Sequence, residues 1–288
     1  LQNFRYLLSY QLGYMYFRYL MWNFAGRQND LPSTGEIDHG NFMTGIPAVD
    51  NAMLGAEDAL PPEMGRDNAG RNVYFLIPFL LGVCGAVALC VSGRAGRRVC
   101  MVVLTLFILT GPAIAFYVNQ TPGEPRERDY SFLGSYMAFC IWMAFGIYFF
   151  SLGVARLCRR YVRMSSGNAV RVAMSLGAVL ACGVPAMMLA VNLDDHDRSG
   201  RCAVEDFSSN LLNSLPHGAI LFVDGDNHTF PIWYAHETLG VRPDVTVVNI
   251  SYLALPAYRI SLMRPQSGAP GLESVSYTHL RAHETRRH

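Results

Sequence analysis

Four apolar runs of about twenty residues constrain this chain more than any other feature. Val73–Val91, Val99–Val118, Tyr136–Ala155 and Val172–Val191 each lack Asp, Glu, Arg and His. At roughly 1.5 Å of rise per helical residue, such runs match a hydrocarbon core of roughly 30 Å. The arginines between them take sides. Arg94, Arg97 and Arg98 fill the stretch 92–98, and Arg156, Arg159, Arg160, Arg163 and Arg171 fill 156–171, with no acid in either. The stretch 119–135 instead mixes Glu124, Arg126, Glu127, Arg128 and Asp129. Basic residues at span ends are retained on the cytoplasmic side, so both arginine loops are expected inside. Residues 1–72, 119–135 and everything after Asn192 are then expected outside.

The expected fold class is an α-helical membrane protein of four spans with an outer-face α/β domain. Its boundaries are 1–72 for an aromatic helix and long outer loop, 73–191 for the spans, and 192–274 for the α/β domain. Phe4–Phe24 is rich in Tyr and Phe but interrupted by Arg5, Gln11 and Arg18. Such amphipathic rings suit an interface, so this helix is expected to lie at the outer surface against the bundle. Residues 26–72, dense in Gly, Pro, Asn and Asp, read as a loop with little regular structure. Pro78, Pro112 and Pro185 fall inside the apolar runs and read as kinks. Beyond Asn192, Val204–Asn213 reads as an amphipathic helix presenting Phe207, Leu211 and Leu212. Ala219–Val223 reads as a buried strand, and Asp244–Ile250 as a second one. Between them Thr229 is placed to cap a helix that ends at Gly240. Strand, helix and strand in this space make a parallel βαβ unit.

The polar clusters give the candidate site residues. Arg126 and Arg128 are placed to clamp a phosphate at the bilayer surface; mutual pairing with Glu127 and Asp129 is the structural alternative. Arg27, Asn29 and Asp30 follow the aromatic helix and join this group of candidates. Asp194, Asp195, His196 and Asp197 follow the last span; a divalent cation is weighed there against simple solvation, and solvation is preferred. Asp224, Asp226 and Asn227 stand at the carboxyl end of a strand, where ligands of α/β units bind. No zinc-like cluster and no disulfide framework is expected: six of the seven cysteines fall in spans or on the inner side, leaving Cys202 outside.

Several longer motifs carry a resemblance. They are Tyr10-Gln-Leu-Gly-Tyr-Met-Tyr16, Met21-Trp-Asn-Phe-Ala-Gly-Arg-Gln-Asn-Asp30, Pro125-Arg-Glu-Arg-Asp-Tyr130, Asp195-His-Asp-Arg-Ser199 and Gly225-Asp-Asn-His-Thr-Phe-Pro-Ile-Trp-Tyr234. The chain resembles the bacterial domain-of-unknown-function family 2723, which is similar to eukaryotic protein O-mannosyltransferases. The resemblance implies a GT-C class membrane glycosyltransferase of the bacterial inner membrane, with its large polar domain on the periplasmic side. Such an enzyme takes sugar from a polyprenyl-phosphate donor and passes it to a protein acceptor; no nucleic-acid partner is expected. His228 stands where the family shows Asp, which argues against a metal at that turn. The family's catalytic carboxylate lies in an early outer loop that this chain is not expected to contain, so no catalytic residue is assigned. The stretch 275–285 resembles a translated sequencing adapter, and 275–288 is set apart from the fold on that basis. The competing readings are a membrane-anchored binding or assembly protein and a transporter or flippase. The latter is disfavoured by spans without ionisable residues.

Overall fold

The computed structural model describes residues 2–33, 35–123, 127–265 and 268–272, and the chain divides into two compact units, Leu1–Asp197 and Arg198–His288. The segment 275–288 lies outside the described residues.

The first unit opens with α1 (Gln2–Tyr6), a π-helical stretch (Leu7–Phe17) and α2 (Arg18–Phe24), which follow one another without a break. Strand β1 (Gly26–Arg27) and helix α3 (Pro47–Leu54) come next, followed by strand β2 (Asn72–Val73). The helices α4 (Ile77–Val91), α5 (Gly93–Thr110), α6 (Pro112–Val118), α7 (Leu133–Arg160) and α8 (Ser166–His196) complete it.

Among the described residues, three helical segments are long and apolar enough to cross a membrane: Gly93–Val118, Asp129–Arg160 and Ser166–His196. The fourth expected span is shorter than the sequence suggests, because α4 has only 15 residues, roughly 22 Å of helix. Phe75 and Leu76 adopt left-handed backbone angles (φ 54° and 58°), and Pro78 occupies the first helical turn. The apolar run therefore begins as a turn and becomes helix only at Ile77. Pro112 marks a real break, between α5 and α6, whereas α8 continues through Pro185. Arg94, Arg97 and Arg98 sit in the first turns of α5 rather than in a loop, and Arg159 and Arg160 close α7.

Helix α4 packs chiefly on α7, and small residues set the approach. A Cβ added at Gly85 would stand 1.8 Å from the Trp142 carbonyl oxygen, and one at Gly146 would stand 2.1 Å from that of Leu81. Backbones this close gain dispersion contacts that larger side chains would prevent. Outward positions such as Val91, Val102, Met137, Met174 and Val179 are apolar and exposed, as a lipid-facing surface requires.

The aromatic segment 2–24 packs on the bundle through its second half, whereas Gln2–Arg5, Leu8 and Phe17 stay exposed. Tyr16, Tyr19, Leu20, Trp22 and Phe24 enter one core with Val103, Phe132, Phe139 and Trp142 from the long helices. Phe24 meets Phe139 at 4.5 Å between ring centroids, and Tyr16 meets Phe132 edge-on at 5.4 Å. Burying large rings outweighs interfacial placement once a bundle is available to pack against. Residues 26–72 are more ordered than expected. Strands β1 and β2 pair antiparallel, Gly26 with Val73 and Arg27 with Asn72, and Phe42 bridges to Arg27. Asn29 is fully buried and ties this segment together: its amide donates to the carbonyls of Asp38 and Met64 (both 2.8 Å), and its oxygen accepts from Gly40 N (2.7 Å). Asp50 does the same for the turn before α3, accepting from Thr44 N, Thr44 Oγ1 and Gly45 N at 2.7–2.8 Å.

The second unit contains α9 (Ala203–Asn213), β3 (Ile220–Val223), α10 (Asp226–Trp233), a π-helical turn (Tyr234–Thr238), β4 (Thr246–Asn249) and α11 (Pro256–Leu262). Strands β3 and β4 are parallel, with Ile220 opposite Thr246 and Val223 opposite Asn249. The unit is thus the expected βαβ arrangement, with Leu212, Val223, Ile232, Ala235, Val245 and Val247 as its core. Three local expectations fail: β3 is not a buried strand, since Ile220 and Phe222 are exposed and Val223 alone of its four residues is buried. Phe207 is exposed, and the hydroxyl-bearing Ser208 is buried one position later, donating to the Val204 carbonyl oxygen. The helix begins at Asp226 behind Gly225, so Thr229 is interior; its hydroxyl donates to the Gly225 carbonyl oxygen and accepts from Asn249 Nδ2 at 2.7 Å, locking helix to strand end.

Candidate functional site

In the first unit, polar residues gather at the end of the bundle opposite the arginine-rich turns. Residues Tyr6, Tyr10, Tyr14, Arg18 and Trp22 recur every four positions, and the first three rings stack in sequence at 5.1 and 5.6 Å. This ladder delivers Arg18 into the core, where its guanidinium lies 4.0 Å from the Tyr14 ring centre and 4.6 Å from that of Trp22. Its hydrogen bonds are complete in kind. Nη2 donates to Glu127 Oε2 (2.8 Å), Nη1 donates to the Gly40 carbonyl oxygen (2.7 Å), and Nε donates to that of Tyr14 (3.1 Å). The Tyr19 hydroxyl donates to Glu127 as well, and it accepts from Arg128 N at 3.3 Å. Burial and the Glu127 carboxylate together hold the Tyr19 hydroxyl well above the ordinary tyrosine range. A buried arginine fixed on a carboxylate is therefore the strut between the aromatic helix and the segment after residue 126.

Arg27 stands beside this strut but is not part of it. Its guanidinium lies 4.1 Å from the Trp22 ring centre, and only Nε is engaged, donating to the Asn29 carbonyl oxygen at 2.9 Å. Its two terminal amino groups make no hydrogen bond or ion pair among the described residues. Burial lowers its pKa, opposed by the charges of Asp30, Asp129, Glu127 and Asp195, which lie within electrostatic reach without pairing to it. The indole N–H of Trp22 is also buried and has no acceptor among the described residues. An unsatisfied buried donor such as this indole calls for a partner, whereas the Arg27 amino groups are only partly buried. Asp30 is anchored by Asn68, whose amide donates to Asp30 Oδ1 at 2.9 Å. Asp195 belongs to the last turn of α8, where Asn192 donates to Tyr74 Oη at 2.7 Å and so holds the helix end against β2.

The structure thus brings Arg27, Asp30, Arg128, Asp129 and Asp195 into one neighbourhood. Arg126 lies outside the described residues. Among the described residues, the partners of the Glu127 carboxylate are Arg18 and Tyr19, which lie outside its own loop. Sequence reading treated Arg18 as a mere interruption of the helix. The four-residue spacing from Tyr14 through Arg18 to Trp22, which puts them on one helical face, was the available signal. Among the described residues, no group of three or more His, Cys, Asp or Glu side chains is arranged to hold a metal ion. His196 pairs with its neighbour Asp195 and with the Asn192 carbonyl oxygen.

In the second unit, Asp224 is engaged locally: its Oδ1 accepts from Ser251 Oγ (2.6 Å) and Gly225 N (3.0 Å). Asp226 and Asn227 begin α10 and are exposed. These three stay together at the strand end, as expected, but hydrogen bonding to the adjacent loop accounts for Asp224.

Residues 204–287 match the family described as TMEM260-associated domain 2. This is under a third of the chain; it covers most of the second unit and extends through the segment set apart above as adapter-like. No solved structure matches the chain.

Proposed function

We propose that this chain is part of a membrane glycosyltransferase that moves a sugar from a polyprenyl-phosphate donor to a protein, on the periplasmic face of a bacterial inner membrane. The observation that carries this reading is Arg27: a partly buried guanidinium stacked on Trp22, held by Nε alone among the described residues, with two amino groups left to receive an anion. A leaving lipid phosphate is such an anion, and it forms at the bilayer surface. The helices capable of crossing a membrane support a lipid-linked substrate. The match to a TMEM260-associated domain, from a family related to an O-mannosyltransferase-like protein, supports the transferase class. In the reaction, an acceptor hydroxyl oxygen attacks the anomeric carbon and the bond from that carbon to the phosphate oxygen breaks. The hydroxyl proton passes to a carboxylate, which the family resemblance puts in an outer loop. The phosphate leaves with its charge offset by Arg27 and Arg128.

The test is transfer of radiolabelled sugar from polyprenyl phosphate in membranes carrying the full-length protein. A charge-assisted contact contributes roughly 1.5–3 kcal/mol, so Arg27→Ala should lower transfer by roughly ten- to a hundredfold. Arg27→Lys should recover part of this, since it keeps the charge and loses the planar fork. Unchanged donor affinity and turnover in folded Arg27→Ala protein would sink the phosphate role. Absence of any sugar transfer by the intact protein would sink the enzyme reading and favour an assembly or binding protein.

A further inference from the structure

We infer that the second unit carries a binding site for an uncharged saccharide, formed where the π-helical turn meets α11. The site is a depression of about 480 Å³ walled by Trp233, Tyr234 and Tyr258, with Glu237 and Thr238 at its polar side. Its size falls within the roughly 300–1,000 Å³ usual for small-molecule sites.

The aromatic wall is prebuilt. Trp233 and Tyr258 stand 6.5 Å apart between ring centres, and Tyr252 meets Tyr258 edge-on at 5.8 Å behind them. Tyr258 Oη accepts from Asn249 N at 2.8 Å, so the ring is pinned to the end of β4. Turns with i→i+5 bonding are rare and frequently mark functional sites. Here the π turn brings Tyr234, Glu237 and Thr238 to line one concavity.

The polar groups suit a polyol. The Trp233 indole N–H, the Tyr234 hydroxyl and the Thr238 hydroxyl make no hydrogen bond among the described residues, so each is available to a ligand. Glu237 offers a fixed acceptor: His236, which is buried, places Nδ1 2.8 Å from Glu237 Oε1 and Nε2 2.8 Å from the Val245 carbonyl oxygen. The carboxylate is thereby oriented by a ring that cannot turn without losing both contacts. Among the described residues no basic side chain lines the depression, which argues against phosphate, nucleotide or carboxylate ligands. What remains is a molecule with an apolar C–H face for the rings and hydroxyls for the rim, as in a pyranose. An organic cation is the rival that aromatic rings and a carboxylate also fit; the indole N–H, a donor that a cation cannot use, weighs against it. This site lies wholly in the second unit and stands or falls independently of the lipid-phosphate reading.

The test is saturation-transfer NMR on the whole chain in detergent micelles, with the methyl α-pyranosides of mannose, glucose and galactose as probes and tetramethylammonium as counter-probe. Saturation should reach the ring C–H protons of at least one pyranoside, with millimolar affinity. Trp233→Ala should weaken binding by roughly tenfold or more. Should that variant fail to fold, Tyr234→Phe and Thr238→Val each remove only an unpartnered hydroxyl and should weaken binding by roughly three- to tenfold. Trp142, remote in sequence and part of the first unit's core, provides the control: Trp142→Phe should leave pyranoside binding unchanged. No transfer to any of the three pyranosides, transfer undiminished in all the site variants, or displacement of the sugar by tetramethylammonium would each overturn the assignment.

Discussion

Replacing Arg18 tests the central strut of the first unit. Its side chain is 4 % exposed and that of Glu127 22 %. Arg18→Met keeps an unbranched apolar stem beneath Tyr14 and Trp22 but leaves the Glu127 carboxylate with only the Tyr19 hydroxyl. It also leaves the Gly40 and Tyr14 carbonyl oxygens without their donor. Breaking a buried pair from one side costs about 3–5 kcal/mol. The open edge of Glu127 keeps the loss near the lower figure, since water can reach the stranded carboxylate. At roughly 2–4 °C per kcal/mol for chains of this size, Tm should fall on the order of 10 °C. The assay is thermal unfolding of the full chain in micelles, followed by tryptophan fluorescence, because Trp22 lies 4.6 Å from the Arg18 guanidinium and reports the strut directly. Glu127→Gln should destabilise comparably by stranding the arginine. The double variant should recover part of the loss, because neither charge is then left alone. A coupling energy below about 0.5 kcal/mol in this double-mutant cycle would refute the pairing. Arg27→Ala should behave differently, shifting Tm less while lowering donor use, because its amino groups hold no partner among the described residues.

Gly85→Ala should force α4 away from α7, since its Cβ would sit 1.8 Å from the Trp142 carbonyl oxygen; a destabilisation of about 1–3 kcal/mol or more is expected in the same melt. Cys90 Sγ and Cys100 Sγ approach to 3.0 Å between α4 and α5, so mild oxidation should join them within one chain, detectable by non-reducing peptide mapping. Neither thiol cross-linking while both alkylate after denaturation would contradict the α4–α5 register. Asp244 is held well below the ordinary carboxylate range, first by Arg242, whose Nε and Nη2 reach its two oxygens at 2.8 Å, then by Gly218 N–H. A depressed folded pKa gives stability that is present above the unfolded value of 3.8 and lost as pH falls through the folded one. The second unit should therefore gain nothing from this pair only in strong acid, and Asp244→Asn should flatten the acid limb of its pH–stability curve. The raised Tyr19 works in the opposite sense: its contribution is full below the unfolded value of 10.0 and is lost as pH rises toward the folded value. The part of the tyrosinate absorbance that a Tyr19→Phe substitution removes should accordingly appear together with unfolding rather than before it.

What local pattern encodes, the amino-acid sequence determined alone. Apolar runs of fixed length produced long helices, arginine placed at their ends marked one side of the bundle, and the alternation after Asn192 specified a parallel βαβ unit, because length and periodicity act through the nearest few residues. The same reasoning put Arg27, Asp30, Asp129 and Asp195 among the residues to examine, since charged residues beside apolar spans are few. It did not reach the choice of partner. Glu127 has Arg128 beside it in the chain but pairs with Arg18, because the aromatic helix packs into the core and carries a buried guanidinium to within 2.8 Å. Among the described residues Arg27 keeps unused donors while Glu127 bonds Arg18 and Tyr19, Asp30 bonds Asn68 and Asp195 bonds His196. The length of α4 was likewise decided by tertiary structure, where β2 and the left-handed Phe75–Leu76 pair take residues that hydropathy alone assigns to a span. Charge pairing and helix ends depend on which distant segments compete for the same space, and that competition is settled only when the chain packs.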